Sequence, residues 1–201
     1  MVLVGKYRHI ETKVSSHVLD LDIFEKEFIA SLPFELTNDQ RSVLSEIDAD
    51  MKKGNPMHRL LQGDVGSGKT VVAFAAAARA ISNNSQVMIM APTEVLVKQH
   101  YQNAVKAFSS ITIEDETNLF SSRNVNIEML STNVGAKDRV RIENLIEENQ
   151  LDILIGTHAL LFQNYNFKKL GLVVVDEQHR FGVDQRSKLA DVSDIAPHLL
   201  V

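Results

Sequence analysis

Eight consecutive residues, Gly63-Asp64-Val65-Gly66-Ser67-Gly68-Lys69-Thr70, have the types and spacing of a loop that wraps a polyphosphate. Small residues let the backbone curl and aim N–H groups at phosphate oxygens, and the helix that follows presents the positive end of its dipole. Lys69 adds a mobile positive charge for the outer phosphates, and Thr70 adds a hydroxyl of the kind a hard Mg²⁺ ion needs. The competing explanation is a glycine-rich turn joining a strand to a helix. A second chemical pair follows an apolar run: Gly171-Leu172-Val173-Val174-Val175 ends in Asp176-Glu177. A carboxylate at the end of such a strand suits Mg²⁺, held partly through water, and the next one suits orienting or deprotonating an attacking water. Together with the glycine-rich loop they predict phosphoryl transfer, in which positioning and charge stabilisation do most of the work. Taken alone, Asp-Glu after a strand is more often a solvated loop start than a catalytic pair.

These groups need a scaffold that brings them to one edge. His58-Arg59-Leu60-Leu61-Gln62 reads as a strand before the loop, and residues 70–81, alanine-rich and free of Gly and Pro, read as the helix after it. Thr37 opens an earlier helix with Val43, Leu44, Ile47 and Met51 at helical spacing, ended by Gly54-Asn55-Pro56. Downstream, apolar runs at 86–91, 126–130, 151–155 and 172–175 alternate with helical segments that begin near Pro92-Thr93-Glu94 and near Lys137. Leu96, Tyr101, Ala104, Val105 and Phe108 are expected to bury one helix face, and Ile142, Leu145 and Ile146 another. Continuous apolar strands separated by helices predict an α/β fold, a parallel sheet covered on both faces. Residues 1–31 read as a helical or irregular arm and residues 32–201 as one lobe; residues 112–125, acidic around Glu114-Asp115-Glu116, read as an irregular or mobile connection.

Composition narrows the classes. The 201 residues suffice for one well-cored domain plus an arm, with 44% hydrophobic and 23% charged residues, which excludes wholesale disorder. With no cysteine there are no disulfides or thiolate metal sites, and a cytoplasmic setting is expected. The longest apolar stretch, residues 71–81, is too short to cross a bilayer and carries Arg79, so no membrane anchor is expected. The N-terminus lacks the pattern of a secretory signal. A net charge of −5 argues against bulk electrostatic binding of nucleic acid but leaves room for backbone N–H groups, hydroxyls and helix ends to grip phosphates.

Asp176-Glu177-Gln178-His179-Arg180-Phe181-Gly182-Val183, with Gln185-Arg186 behind it, resembles the DEAD/DEAH-type superfamily 2 helicases, and specifically the RecG family of ATP-dependent DNA helicases. Leu32-Pro33-Phe34-Glu35-Leu36-Thr37 with Gln40, the glycine-rich loop, Ala91-Pro92-Thr93-Glu94 and Gly156-Thr157-His158-Ala159-Leu160 agree with that family. The translocase of the transcription-repair coupling factor is the near alternative; it typically has an aromatic where Ser67 stands and Glu-Gln where Gln178-His179 stand. Leu130-Ser131-Thr132-Asn133 departs from the family's usual Thr-Gly-Ser.

The resemblance implies the first RecA-like lobe of a two-lobe motor using ATP and Mg²⁺, truncated before the coupling motif. Its partners would be forked or branched DNA, a second lobe with the arginine finger, and a wedge domain. It implies that Lys69 and Glu177 are catalytic; that Phe34, Gln40, Gly63, Asp64, Val65, Gly66, Ser67, Gly68 and Thr70 bind nucleotide; and that Thr70 and Asp176 hold Mg²⁺. Pro92, Thr93, Glu94, Gly156, Thr157 and His158 would touch the DNA backbone, and His179, Arg180, Gln185 and Arg186 would couple the lobes. Local explanations stand beside these. Thr37 and Gln40 have capping-box spacing, Thr93 suits a helix N-cap, and residues 180–186 suit an exposed basic helix. His9, His17, His58 and His100 read as surface or packing histidines. A nucleotide-binding module with negligible turnover and a small-molecule P-loop kinase complete the rival readings.

Overall fold

A computed structural model describes residues 2–6, 15–114, 122–131, 134–163, 165–176 and 195–201. Glu177, His179, Arg180, Gln185 and Arg186 lie outside the described residues, as do Gln178, Phe181, His9, Asp115 and Glu116.

The sheet has seven strands: β1 (Val2–Lys6), β2 (His58–Gly63), β3 (Gln86–Ala91), β6 (Ile127–Leu130), β7 (Ile153–Thr157), β8 (Leu170–Val175) and β9 (His198–Leu200). Their order across the sheet is β1-β2-β9-β8-β3-β7-β6, and every pairing is parallel except β1 on β2, which is antiparallel. Five helices are described: α1 (Ile23–Ser31), α2 (Asn38–Met51), α3 (Lys69–Ser82), α4 (Glu94–Phe108) and α5 (Ala136–Glu147). The apolar strand runs alternate between two cores because side chains alternate across a sheet. Val87, Ile89, Ile153, Ile155, Leu172 and Val174 pack with α1, α2, α3 and α4. Met88, Met90, Leu154, Val173 and Val175 pack with α5 and with a 3-10 turn over His158–Phe162. The fold is thus the expected RecA-like α/β arrangement, with helices on both faces.

Three expectations change. Residues 15–31 are stitched into the lobe: Phe28 is buried and stacks on Phe108 with ring centroids 5.4 Å apart, and Phe108 in turn meets Phe74 of α3 at 5.7 Å. Asn83 Nδ2 donates to Leu21 O, and the Leu21 N–H donates to Asn83 Oδ1. The stretch expected to be irregular begins and ends in order, since β4 (Thr112–Glu114) pairs antiparallel with β5 (Ser122–Asn124). In α4 the buried positions are Val97, Ala104 and Phe108, with Tyr101 partly covered, whereas Val105 is exposed. The helical repeat running 97, 101, 104, 108 points at the sheet, and position 105 lies about 100° further round.

Between α1, α2 and α3 lies a buried ionic cluster. Arg79 Nε donates to Asp48 Oδ1 at 2.9 Å and sits 2.7 Å from Glu25 Oε2, while Nη1 reaches the carbonyls of Leu19 and Asp20. Burial, reinforced by the neighbouring Asp48, pushes the Glu25 carboxyl up to about 7 against the pull of Arg79.

Candidate nucleotide site

β2 delivers the chain to Gly63, and α3 begins at Lys69. Between them the backbone folds back through positive φ at Gly66 (81°) and Gly68 (84°), a conformation that side chains disfavour. Gly68 is needed twice over, since a Cβ there would also fall inside contact distance of Gln40 Nε2. Ser67 N donates to Asp64 O at 3.1 Å, closing the turn, and Val65 stands fully exposed at its tip. Lys69 Nζ donates to Gly63 O at 2.5 Å and to Asp64 O at 3.0 Å, so its ammonium spans the mouth of the loop. Thr70 occupies the exposed first turn of α3, where backbone N–H groups lack intrahelical partners.

Gln40 supports the loop from beneath. Its Oε1 accepts from Thr37 N at 2.9 Å, its own N–H donates to Thr37 Oγ1 at 3.2 Å, and its Nε2 donates to Ser67 O at 2.9 Å. The capping box is therefore present, and the same buried amide braces the loop. Phe34, half-exposed, lines an open hollow with Ile29, Leu32, Pro33, Leu36 and Arg41.

Asp176 follows β8, and its N–H donates to Met90 O at 2.8 Å, extending the β8–β3 ladder by one step. β2 and β8 both run parallel to β9, which lies between them, so Gly63 and Asp176 emerge at the same edge two strand spacings apart, about 10 Å. Ligands of open α/β sheets gather at this carboxyl edge. The donor set there fits a magnesium nucleotide: hard oxygens on Thr70 and Asp176, a cation on Lys69, left-handed glycines that turn N–H groups inward, and a buried Ser67 hydroxyl without a partner among the described residues. Sequence reasoning missed His100, whose Nε2 lies 2.8 Å from Asp176 Oδ2. It is a packing residue only in part; its position in α4 gave no signal, because its partner is 76 residues away.

The second group of candidates lies further along the same edge. β3 and β7 are adjacent and in register, Ala91 opposite Thr157, so Pro92-Thr93-Glu94 and Thr157-His158 leave the sheet side by side. Thr93 caps α4, its Oγ1 accepting from Leu96 N at 3.3 Å, and Thr157 Oγ1 accepts from Ala159 N at 3.4 Å. Both hydroxyls thus have local work. Gly156 is buried inside β7, where a Cβ would come within 2.8 Å of Leu160 Cδ1 and 3.0 Å of Leu130 O; its smallness serves packing.

Fold and loop together define a RecA-like α/β lobe with a glycine-rich loop of P-loop pattern at its carboxyl edge. The chain belongs to the DEAD/DEAH box helicase family, whose pattern matches residues 37–199. It is 45% identical over 179 residues to the ATP-dependent DNA helicase RecG of Synechocystis sp., covering 89% of this chain and 20% of that protein. It is 40% identical over 183 residues to RecG of Escherichia coli, covering 90% and 25%. The solved structure of RecG bound to a three-way DNA junction superimposes with a TM-score of 0.71 at 39% identity, over 87% of this chain and 22% of that one. The UvsW helicase of bacteriophage T4, at 16% identity and a TM-score of 0.59, shares the fold. The chain thus spans about a fifth to a quarter of the length of its RecG relatives.

Proposed function

We propose that this chain is the ATP-binding motor lobe of a RecG-like DNA helicase, a protein that couples ATP hydrolysis to translocation on duplex DNA and to remodelling of forks and junctions. The observation that carries the reading is the shared sheet edge: the loop of Gly63 to Thr70 and Asp176 emerge at the same carboxyl edge, two strand spacings apart with β9 between them. In this reading the loop N–H groups and Lys69 hold the phosphates. Lys69 exchanges the Gly63 and Asp64 carbonyls for phosphate oxygens, a gain in charge pairing. Phe34 and Gln40 border the base, Thr70 and Asp176 take the metal, and Glu177 positions water. Mg²⁺, when bound, would neutralise charge across the outer phosphates.

Pro92, Thr93, Glu94, Thr157 and His158 form the DNA-facing set through junction N–H groups and hydroxyls, a mode that suits an acidic chain. Gly156 supports that set by packing. His179, Arg180, Gln185 and Arg186 are assigned to coupling with a second lobe, and a wedge domain engages branched DNA. Residues 32–201 form the motor lobe, with residues 15–31 packed on it as an integral brace. The reading carries a cytoplasmic location with it. Catalysis at full rate needs an arginine finger from the second lobe, worth about 10³ to 10⁵ in rate, so these 201 residues by themselves are expected to bind nucleotide with little turnover.

Calorimetry of Mg-ADP and Mg-ATP binding, with phosphate release followed in the same samples with and without branched DNA, tests both parts. Binding with slow release is expected. Absence of binding would sink the nucleotide-site assignment, and DNA-stimulated turnover by this chain alone would sink the incomplete-motor part.

A further inference from the structure

We propose that His100 is a positioning residue for the carboxylate of Asp176, holding it in the orientation that Mg-nucleotide binding requires. The proposal rests on the nucleotide-site reading above, and it concerns a residue of α4 that belongs to none of the segments assigned to that site.

The geometry is specific. His100 lies two turns into α4, about 10 Å along the axis from the Thr93 cap. Its side chain is 15% exposed, and its Nε2 meets Asp176 Oδ2 at 2.8 Å. An ionised carboxylate only accepts, so Nε2 carries the hydrogen. The backbone of Asp176 is already fixed by its N–H bond to Met90 O. A directed hydrogen bond to Oδ2 restrains the carboxylate plane and with it the direction in which Oδ1 aims.

The other ring nitrogen argues against a purely packing role. His100 Nδ1 is buried and has no hydrogen-bond partner among the described residues. A buried polar atom left unpaired is destabilising, so an apolar side chain would fill the same space at lower cost. Among the described residues the imidazole makes one polar contact, and that contact is Asp176. Hydrogen bonds to the outer atoms of metal-binding groups orient those groups, and their loss typically lowers metal affinity by about 10- to 100-fold.

The test compares ADP affinity by calorimetry in excess Mg²⁺ and in EDTA, for the unaltered chain, His100→Leu and His100→Gln, with melting temperatures alongside. The expected result is that His100→Leu weakens binding about tenfold or more in Mg²⁺ and leaves it unchanged in EDTA. His100→Gln, whose amide reaches roughly where Nε2 does, should recover most of the loss. If His100→Leu fails to fold, His100→Asn makes the same comparison with a polar group too short to reach Asp176. Equal affinity of the variants and the unaltered chain in Mg²⁺, or a loss of the same size in EDTA, overturns the proposal while leaving the nucleotide site standing. Failure of the unaltered chain to bind ADP in either buffer overturns the nucleotide-site reading, and this proposal with it.

Discussion

The Gln40 side chain donates from Nε2 to the Ser67 carbonyl at 2.9 Å and accepts at Oε1 from the Thr37 N–H at 2.9 Å, so one amide both closes the first turn of α2 and braces the phosphate loop. The two functions separate by substitution. Gln40→Ala removes both, with loss of about 1 kcal/mol from the hydrogen bond to the Thr37 N–H alone, while the bond from Gln40 N to Thr37 Oγ1 stays. Gln40→Glu keeps an acceptor for Thr37 N but sets a carboxylate oxygen against the Ser67 carbonyl. We expect Gln40→Ala to lower the melting temperature by a few degrees. Gln40→Glu should hold closer to the parent in melting yet bind ADP more weakly. Equal ADP affinity in all three proteins would show that the brace does not matter for binding.

Lys69 contacts only loop carbonyls in the hydrogen bonds described, so its removal should leave the fold intact. Lys69→Ala is expected to weaken Mg-ADP binding by about tenfold or more, from the loss of a charge-assisted contact, with a melting temperature close to that of the parent. Calorimetry and a thermal melt on the same sample decide it; unchanged affinity would remove Lys69 from the phosphate site.

The cluster of Arg79, Glu25 and Asp48 predicts a stability effect far from the site. Removing the guanidinium leaves two carboxylates facing each other in the interior, and breaking such buried pairs typically costs about 3–5 kcal/mol. Arg79→Met should therefore lower denaturant stability strongly, and adding Glu25→Gln should restore part of it. Urea unfolding of the single and double variants is the check.

The same cluster has a pH signature. The Glu25 carboxyl titrates at about 7 in the folded protein, against an ordinary value near 4.5, because burial and Asp48 disfavour its charged form. Between those values the folded state binds more protons than the unfolded, so this group's contribution is fully present below about 4.5 and fades as pH rises through 7. Urea melts from pH 5 to 8 should show a downward slope that Glu25→Gln flattens. Parallel slopes for the two proteins would contradict the buried, shared arrangement.

Gly156 gives a prediction about packing rather than ligand contact. In Gly156→Ala the new methyl meets Leu160 Cδ1 and Leu130 O, which costs about 1–3 kcal/mol as overpacking. Pairing it with Leu160→Val should relieve part of that clash. A thermal melt that shows no loss for Gly156→Ala would mean that the glycine is kept for another reason, including close approach of a ligand.

The sequence by itself determined the elements whose causes are local. The glycines of the phosphate loop, the alanine-rich run of α3, the Thr37/Gln40 capping box and the apolar strand runs each depend on neighbours within a few residues, so composition and period reveal them. The match of residues 37–199 to a helicase family agrees with that local reading. Tertiary structure decided what depends on partners far along the chain. Period cannot say that the edge of β2 accepts β1 in antiparallel fashion, or that residues 15–31 fill the space beside α3. Nor can it say that Arg79, a cation inside an apolar stretch of helix, finds carboxylates on α1 and α2, or that His100 meets Asp176. A buried polar side chain looks the same in sequence whether its partner is a solvent molecule, a carbonyl or a carboxylate. Only the packing of helices against the sheet brings the two groups within hydrogen-bond reach, and there desolvation makes the choice of partner matter.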